Sequence, residues 1–232
     1  MNTAPHTSHV ARPTTAIRHA LISVFFPLLA AFALFLSNAH AAPVDDAVAN
    51  LQRDWEAIRY QTPASERAQH FETLARKAHQ VSASYPGRSE PLIWEGIIVS
   101  SLAGEKGGLG ALGLVKQAKA LYEQAIAIDG SALDGSAYGS LGVLYYKVPG
   151  WPLGFGDKDK AETLLKKALE ISPMAIDPNF FYGEFLIENK RKAEGIGYLE
   201  RALQAPPRPG RHIADTGRRE EIRALLGKAR AD

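Results

Sequence analysis

Asn179 to Pro207 reads NFFYGEFLIENKRKAEGIGYLERALQAPP, and this stretch decides the fold. Its second half sets Gly195, Leu199, Ala202 and Pro207 at spacings of four, three and five. The same ladder recurs as Ala161, Leu165, Ala168 and Pro173, and again as Ala118, Tyr122, Ala125 and Gly130. A weaker copy is Leu74, Ala78, Val81 and Pro86. Small residues on one stripe admit a second helix at short range, and the closing Pro or Gly ends the helix. LLKKALEI from Leu164 and LYEQAIAI from Leu121 carry apolar residues at i, i+1, i+4, i+5 and i+7, the stripe of an amphipathic helix. No segment alternates Val, Ile and Thr between turn dipeptides, as a half-buried strand would. The chain reads as all-α.

Upstream of two ladders stand Tyr138-x-x-Leu141-Gly142-x-x-Tyr145 and Asn179-x-x-Tyr182-Gly183-x-x-Leu186. Trp94-x-x-Ile97-Ile98-x-x-Ser101 is a weaker copy with Ile98 in the Gly position, and Trp55 and Ile58 suggest a first unit. Taken together, these helices and ladders resemble the tetratricopeptide repeat, a helix–turn–helix unit of about 34 residues. The resemblance covers roughly residues 45–207 and implies a right-handed solenoid of about four repeats. Each pair buries its stripe only against the next. It also implies a concave groove lined by the first helix of each pair, at positions one, five and eight after the anchor. Those positions are Glu95, Val99 and Leu102, then Gly139, Val143 and Tyr146, then Phe180, Glu184 and Ile187. Pro206, Pro207, Pro209 and Gly210 read as a linker, and residues 208–232 as linker and C-terminal capping helix. The linker leads to a capping helix over Asp215–Ala229, with Ile222, Leu225 and Leu226 on one face and Arg218 to Glu221 on the other.

Two repeats depart from the pattern in the same place. Leu186 and Gly195 are nine positions apart, as in the family, but Tyr145 and Ala161 are sixteen apart and Ser101 and Ala118 seventeen. The additions fall in Gly104–Gly113 and Lys147–Asp157, which a solenoid places side by side on one edge. Insertions on one face often mark a binding face. Trp151, Leu153 and Phe155 alternate with Gly and Pro in the second. Two readings are open: a rigid plug that buries Trp151 in the stack, or a lip that presents these side chains to a partner.

Of the 232 residues, 27 are Lys or Arg and 25 are Asp or Glu. Arg12 and Arg18 are the only charges before Ala42, so the remainder carries 25 of each sign. A nucleic-acid binder would keep a basic excess. Leu21 to Leu36 is an apolar run followed by Ala39-x-Ala41, the pattern of a signal peptide cleaved after residue 41, with an uncleaved membrane anchor as the alternative. The expected location is the periplasm, with residues 42–207 forming the repeat domain and no membrane insertion after cleavage. Cysteine is absent, which excludes disulfides, thiolate metal sites and Cys nucleophiles.

Gly108-x-Gly110-x-x-Gly113 matches a dinucleotide fingerprint by letters, but a helix precedes it where that motif needs a strand. Asp157-x-Asp159 lacks the rest of a calcium loop and reads as helix capping, with Asp159 and Glu162 spaced as a capping box. His70, His79 and His212 have no chelating spacing, and no nucleophile elbow is present. The expectation is a non-enzymatic protein without cofactor or metal. It would bind a protein or peptide partner through the groove and the Trp151–Phe155 loop, with homo-oligomerisation open. The Gly-rich insertions also resemble, more weakly, the T-component proteins of periplasmic solute (TRAP) transporters. That likeness implies a small-molecule accessory, although such proteins often carry a lipid-anchoring Cys. An envelope scaffold is the third reading.

Overall fold

The computed structural model describes residues 1–2 and 41–231, so the leader expected over 1–41 lies outside the described residues save at its ends. Val44–Asp232 forms a compact unit, and all that follows concerns it. Four successive hairpins make up most of this unit. They are α1 (Ala41–Gln61) with α2 (Ala64–Ser84), α3 (Ser89–Lys106) with α4 (Gly108–Asp129), α5 (Ala132–Lys147) with α6 (Lys158–Ile171), and α7 (Ile176–Glu188) with α8 (Lys192–Leu203). A ninth helix, α9 (His212–Ala231), follows them. Among the described residues there is no strand. Leading helices of neighbouring hairpins also adjoin, α3 with α5 and α5 with α7, which is the stacking of a helical-repeat solenoid.

The ladders are the buried seams. Ala161, Leu165 and Ala168 of α6 are buried, as are Gly195, Leu199 and Ala202 of α8 and Ala118, Tyr122 and Ala125 of α4. Each large apolar side chain removed from water contributes about 1.5–3 kcal/mol. Leu51, Trp55 and Ile58 of α1 pack with Phe71, Leu74 and Ala78 of α2, so the faint first repeat is a true hairpin. Asp157 caps α6, accepting from the Asp159 and Lys160 amides at 3.1 and 3.0 Å. This corrects the expected capping box on Asp159 and Glu162. Glu162 instead binds Arg191 at 2.8 Å and Tyr182 at 2.9 Å, tying α6 to the hairpin that follows.

Three further expectations change. The Gly104–Gly113 insertion is not a loop: α3 runs to Lys106 and α4 starts at Gly108. Gly107 and Gly108 turn the chain with φ of +60° and +55°, conformations that glycine adopts without strain. The added residues lengthen the helices instead, because Ala111 and Leu114 gain burial against the neighbouring core.

The register of α3 also shifts by two residues. A Cβ on Gly96 would stand 2.5 Å from Tyr122 Cε1, just as one on Gly142 would stand 2.8 Å from Leu165 Cγ and one on Gly183 3.0 Å from Leu199 Cγ. Gly96, not Ile98, therefore occupies the close-contact position.

The third change concerns α9, which does more than cap. It packs on α7 and α8 and also reaches back to α1. Arg211 pairs with Glu56, Arg59 with Glu221 at 2.7 Å, and a Cβ on Gly217 would overlap the Tyr60 ring. The last of the described helices thus meets the first of them.

Candidate functional site

The reach of α9 across the concave side leaves a cavity of about 650 Å³. Trp55 and Tyr60 of α1, Trp94 and Ile97 of α3, Val143 of α5 and Phe181 of α7 form its apolar walls. Arg208, Pro209, Arg211, Ala214 and Arg218 supply the wall from the C-terminal segment. Trp55 and Trp94 meet edge to face with centroids 6.0 Å apart, and the Arg211 guanidinium lies 5.0 Å from the Trp94 ring centre. Trp55 Nε1 donates to Ser101 Oγ at 2.8 Å, whereas the buried Trp94 Nε1 has no partner. The Tyr122 hydroxyl is 3.0 Å from Ser100 Oγ, and burial pushes the Tyr122 phenol well up, outweighing its bonds to Ser100 and Ser140.

The cavity's ions pair within the protein, apart from the exposed Asp134. Arg208 binds Asp177 at 2.6 Å and Asp215 at 2.7 Å. Arg218 binds Asp177 at 2.8 Å and Glu221 at 2.7 Å. Burial alone would raise Asp177, but Arg218 and Arg208 outweigh it and hold its carboxyl down at about 2. Burial also lowers Arg211, against the pull of Glu56. Part of the polar face of α9 is thus turned inward: the Arg218 side chain is 13% exposed, whereas Glu220 stays exposed.

One wall is strained. Leu133, Asp134 and Gly135 line the cavity with φ of 48°, 59° and 73° inside the α5 range. A left-handed Leu costs about 1–3 kcal/mol and persists only where its surroundings impose it. Ser136 Oγ holds this turn by donating to Leu133 O at 2.5 Å.

The nine expected groove residues divide. Gly139 and Val143 line the cavity. Glu95, Val99 and Leu102 are buried, because the two-residue shift turns them into the stack and brings Ile97 and Ser100 to the cavity. Glu95 accepts from Ser82 and lies 3.0 Å from His79 Nδ1. Tyr146 donates to Glu184 at 2.5 Å, bracing α5 against α7; burial, then Glu184, pushes the phenol well up. Phe180 lies under Arg218 at 4.4 Å, within the core formed with Leu199, Ile222 and Leu226. Ile187 packs on that same core. Phe181, one residue along, takes the cavity position in α7.

The α5–α6 loop is neither wholly plug nor wholly lip. Phe155 packs edge-on to Tyr145 at 5.5 Å, with Lys119 Nζ 5.9 Å from its ring centre. Trp151, expected in the stack by the plug reading, is 90% exposed, and Leu153 is 69% exposed. None of residues 147–157 lines the cavity. The cavity residues missed in the sequence include those of α1, Trp94, Ile97 and Ser100 of α3, the Leu133–Gly135 turn, Phe181 of α7 and Arg208–Arg218. For Arg208–Arg218 the cluster of Arg and Pro after Ala205 was the signal.

No protein-family model matches the chain, and no match was found among curated proteins.

Proposed function

We propose that the protein is a non-catalytic binding protein of the periplasm that holds a small, largely apolar molecule in the concave cavity. One observation carries this reading: Arg208–Arg218 and the leading helices share a cavity of about 650 Å³, within the ~300–1,000 Å³ of small-molecule sites. Its ring of Trp55, Tyr60, Trp94 and Phe181 suits an apolar body, and the strained Leu133–Gly135 turn is the kind of backbone that gathers at ligand sites. Apart from the exposed Asp134, the charged groups lining the cavity pair within the protein, which favours a ligand without strong charge over chemistry by the cavity's acids. An extended peptide in the groove is the less favoured reading, because the C-terminal segment lines the space it would take. Export rests on the leader pattern of residues 1–41.

The neutral fluorophore N-phenylnaphthylamine tests this reading. The full chain should bind it with enhanced emission. Val143→Trp, which fills the cavity from α5, should cut that binding at least about tenfold while the urea midpoint stays near that of the parent. Binding that survives Val143→Trp unchanged would place the dye elsewhere and sink the cavity reading.

A further inference from the structure

The tip of the α5–α6 loop is built to hold two apolar side chains away from the protein. Gly156 donates to Pro149 O at 2.9 Å, and Leu153 and Gly154 donate to Gly150 O at 3.1 Å each. Asp157 N donates to Tyr145 O at 2.9 Å, while Phe155 anchors the base on Tyr145. Pro149 and Pro152 restrict the backbone further. On this frame Trp151 and Leu153 stay 90% and 69% exposed, although Phe155 in the same loop packs inward.

We propose that this tip docks the protein on a phospholipid bilayer, with Trp151 and Leu153 entering the interfacial zone. Three observations favour a bilayer over a protein. A single Trp offers about 150–250 Å²; with one Leu beside it, the tip falls well short of the ~800 Å² per partner of a stable protein interface. A bilayer needs no matching pocket, and the amphipathic indole is the side chain that settles at its surface.

The second observation is charge. Lys158 and Lys160 stand exposed at the base of the tip, where lysines favour anionic headgroups. Of the acids beside them, Asp157 is engaged as the α6 cap and Asp159 is exposed. Third, on the leader reading proposed above, the apolar run Leu21–Leu36 would bring the chain to a membrane whether it is cleaved or kept. The contact is peripheral, since no described helix is long and apolar enough to cross a membrane. It is also independent of the cavity, which residues 147–157 do not line.

The chain's three tryptophans make the test direct. Trp55 and Trp94 are 8% and 5% exposed, so lipid-borne quenchers reach Trp151 alone. Full chain is mixed with phosphatidylglycerol vesicles carrying brominated acyl chains. Part of the emission should be quenched, and Trp151→Phe should abolish that quenching. Leu153→Asp, a change at an exposed position, should reduce it at least about threefold at fixed lipid, with the circular dichroism spectrum unchanged. The proposal fails if no quenching occurs at saturating lipid, if quenching survives Trp151→Phe, or if Leu153→Asp leaves it intact. It also fails if Trp151 is shielded from acrylamide by envelope proteins and not by vesicles.

Discussion

Three glycines on the leading helices set how tightly each hairpin can close. Gly96 faces Tyr122, Gly142 faces Leu165, and Gly183 faces both Leu199 and the Gly195 carbonyl at 3.0 Å. At Gly142 a side chain would meet Leu165 Cγ and, 3.3 Å away, the Ala161 carbonyl, so relief requires the helices to part. Gly142→Leu or Gly183→Leu should each destabilise the protein by about 1–3 kcal/mol, read from the urea midpoint. A neutral result at both would contradict the hairpin register. Gly142 and Gly183 were legible because Tyr or Asn precedes each at fixed spacing. Gly96 was not, because Trp94 offered a false anchor two residues too late, whereas its real task is to pack with Trp55.

Among the elements, the two insertions had similar Gly-rich compositions and opposite fates. Gly104–Gly113 became helix on both sides of the Gly107 turn because Ala111, and Leu114 just beyond it, are partly buried against the core, offsetting the ~1 kcal/mol that each helical Gly costs relative to Ala. Lys147–Asp157 stayed a loop because Pro149 and Pro152 cannot sit within a helix interior. Within this loop Trp151 and Phe155 have separate duties. Trp151→Ala should leave the thermal midpoint within the error of the parent, since an exposed side chain leaves no cavity. Phe155→Ala should cost roughly 2 kcal/mol, below the 3–5 typical of a fully buried ring, because Phe155 is only half-buried. Equal losses at both positions would contradict this division.

For the molecule as a whole, the contact of α9 with α1 determines what the concave side can do. Glu56 is 2% exposed; it accepts from Arg211 and, at 3.3 Å, from the Ala214 amide. Asp177 holds Arg208 and Arg218 together on the opposite wall. Its carboxyl is held at about 2, below the ordinary 3.8, so its contribution is complete above about pH 4 and is lost as pH falls through about 2. The shift corresponds to on the order of 2 kcal/mol. Asp177→Asn should therefore lower stability at neutral pH by about that amount, and the gap from the parent should close between about pH 4 and pH 2. A gap that stays constant across that range would mean that the Asp177 charge does not hold the wall.

The amino-acid sequence by itself determined the helices, their pairing and most of the core, because a repeat buries its stripe against near neighbours and its spacing is written locally. The ladder residues of α4, α6 and α8 and the glycines at 142 and 183 follow from that spacing. Only the tertiary structure decided the site. Arg211 meets Glu56 across 155 positions and Arg59 meets Glu221 across 162, and no periodicity links residues so far apart. Whether Trp151 folds inward or stands in solvent likewise turned on the backbone bonds of one loop. Both depend on which surfaces meet after the repeats have stacked, and a local spacing cannot encode that.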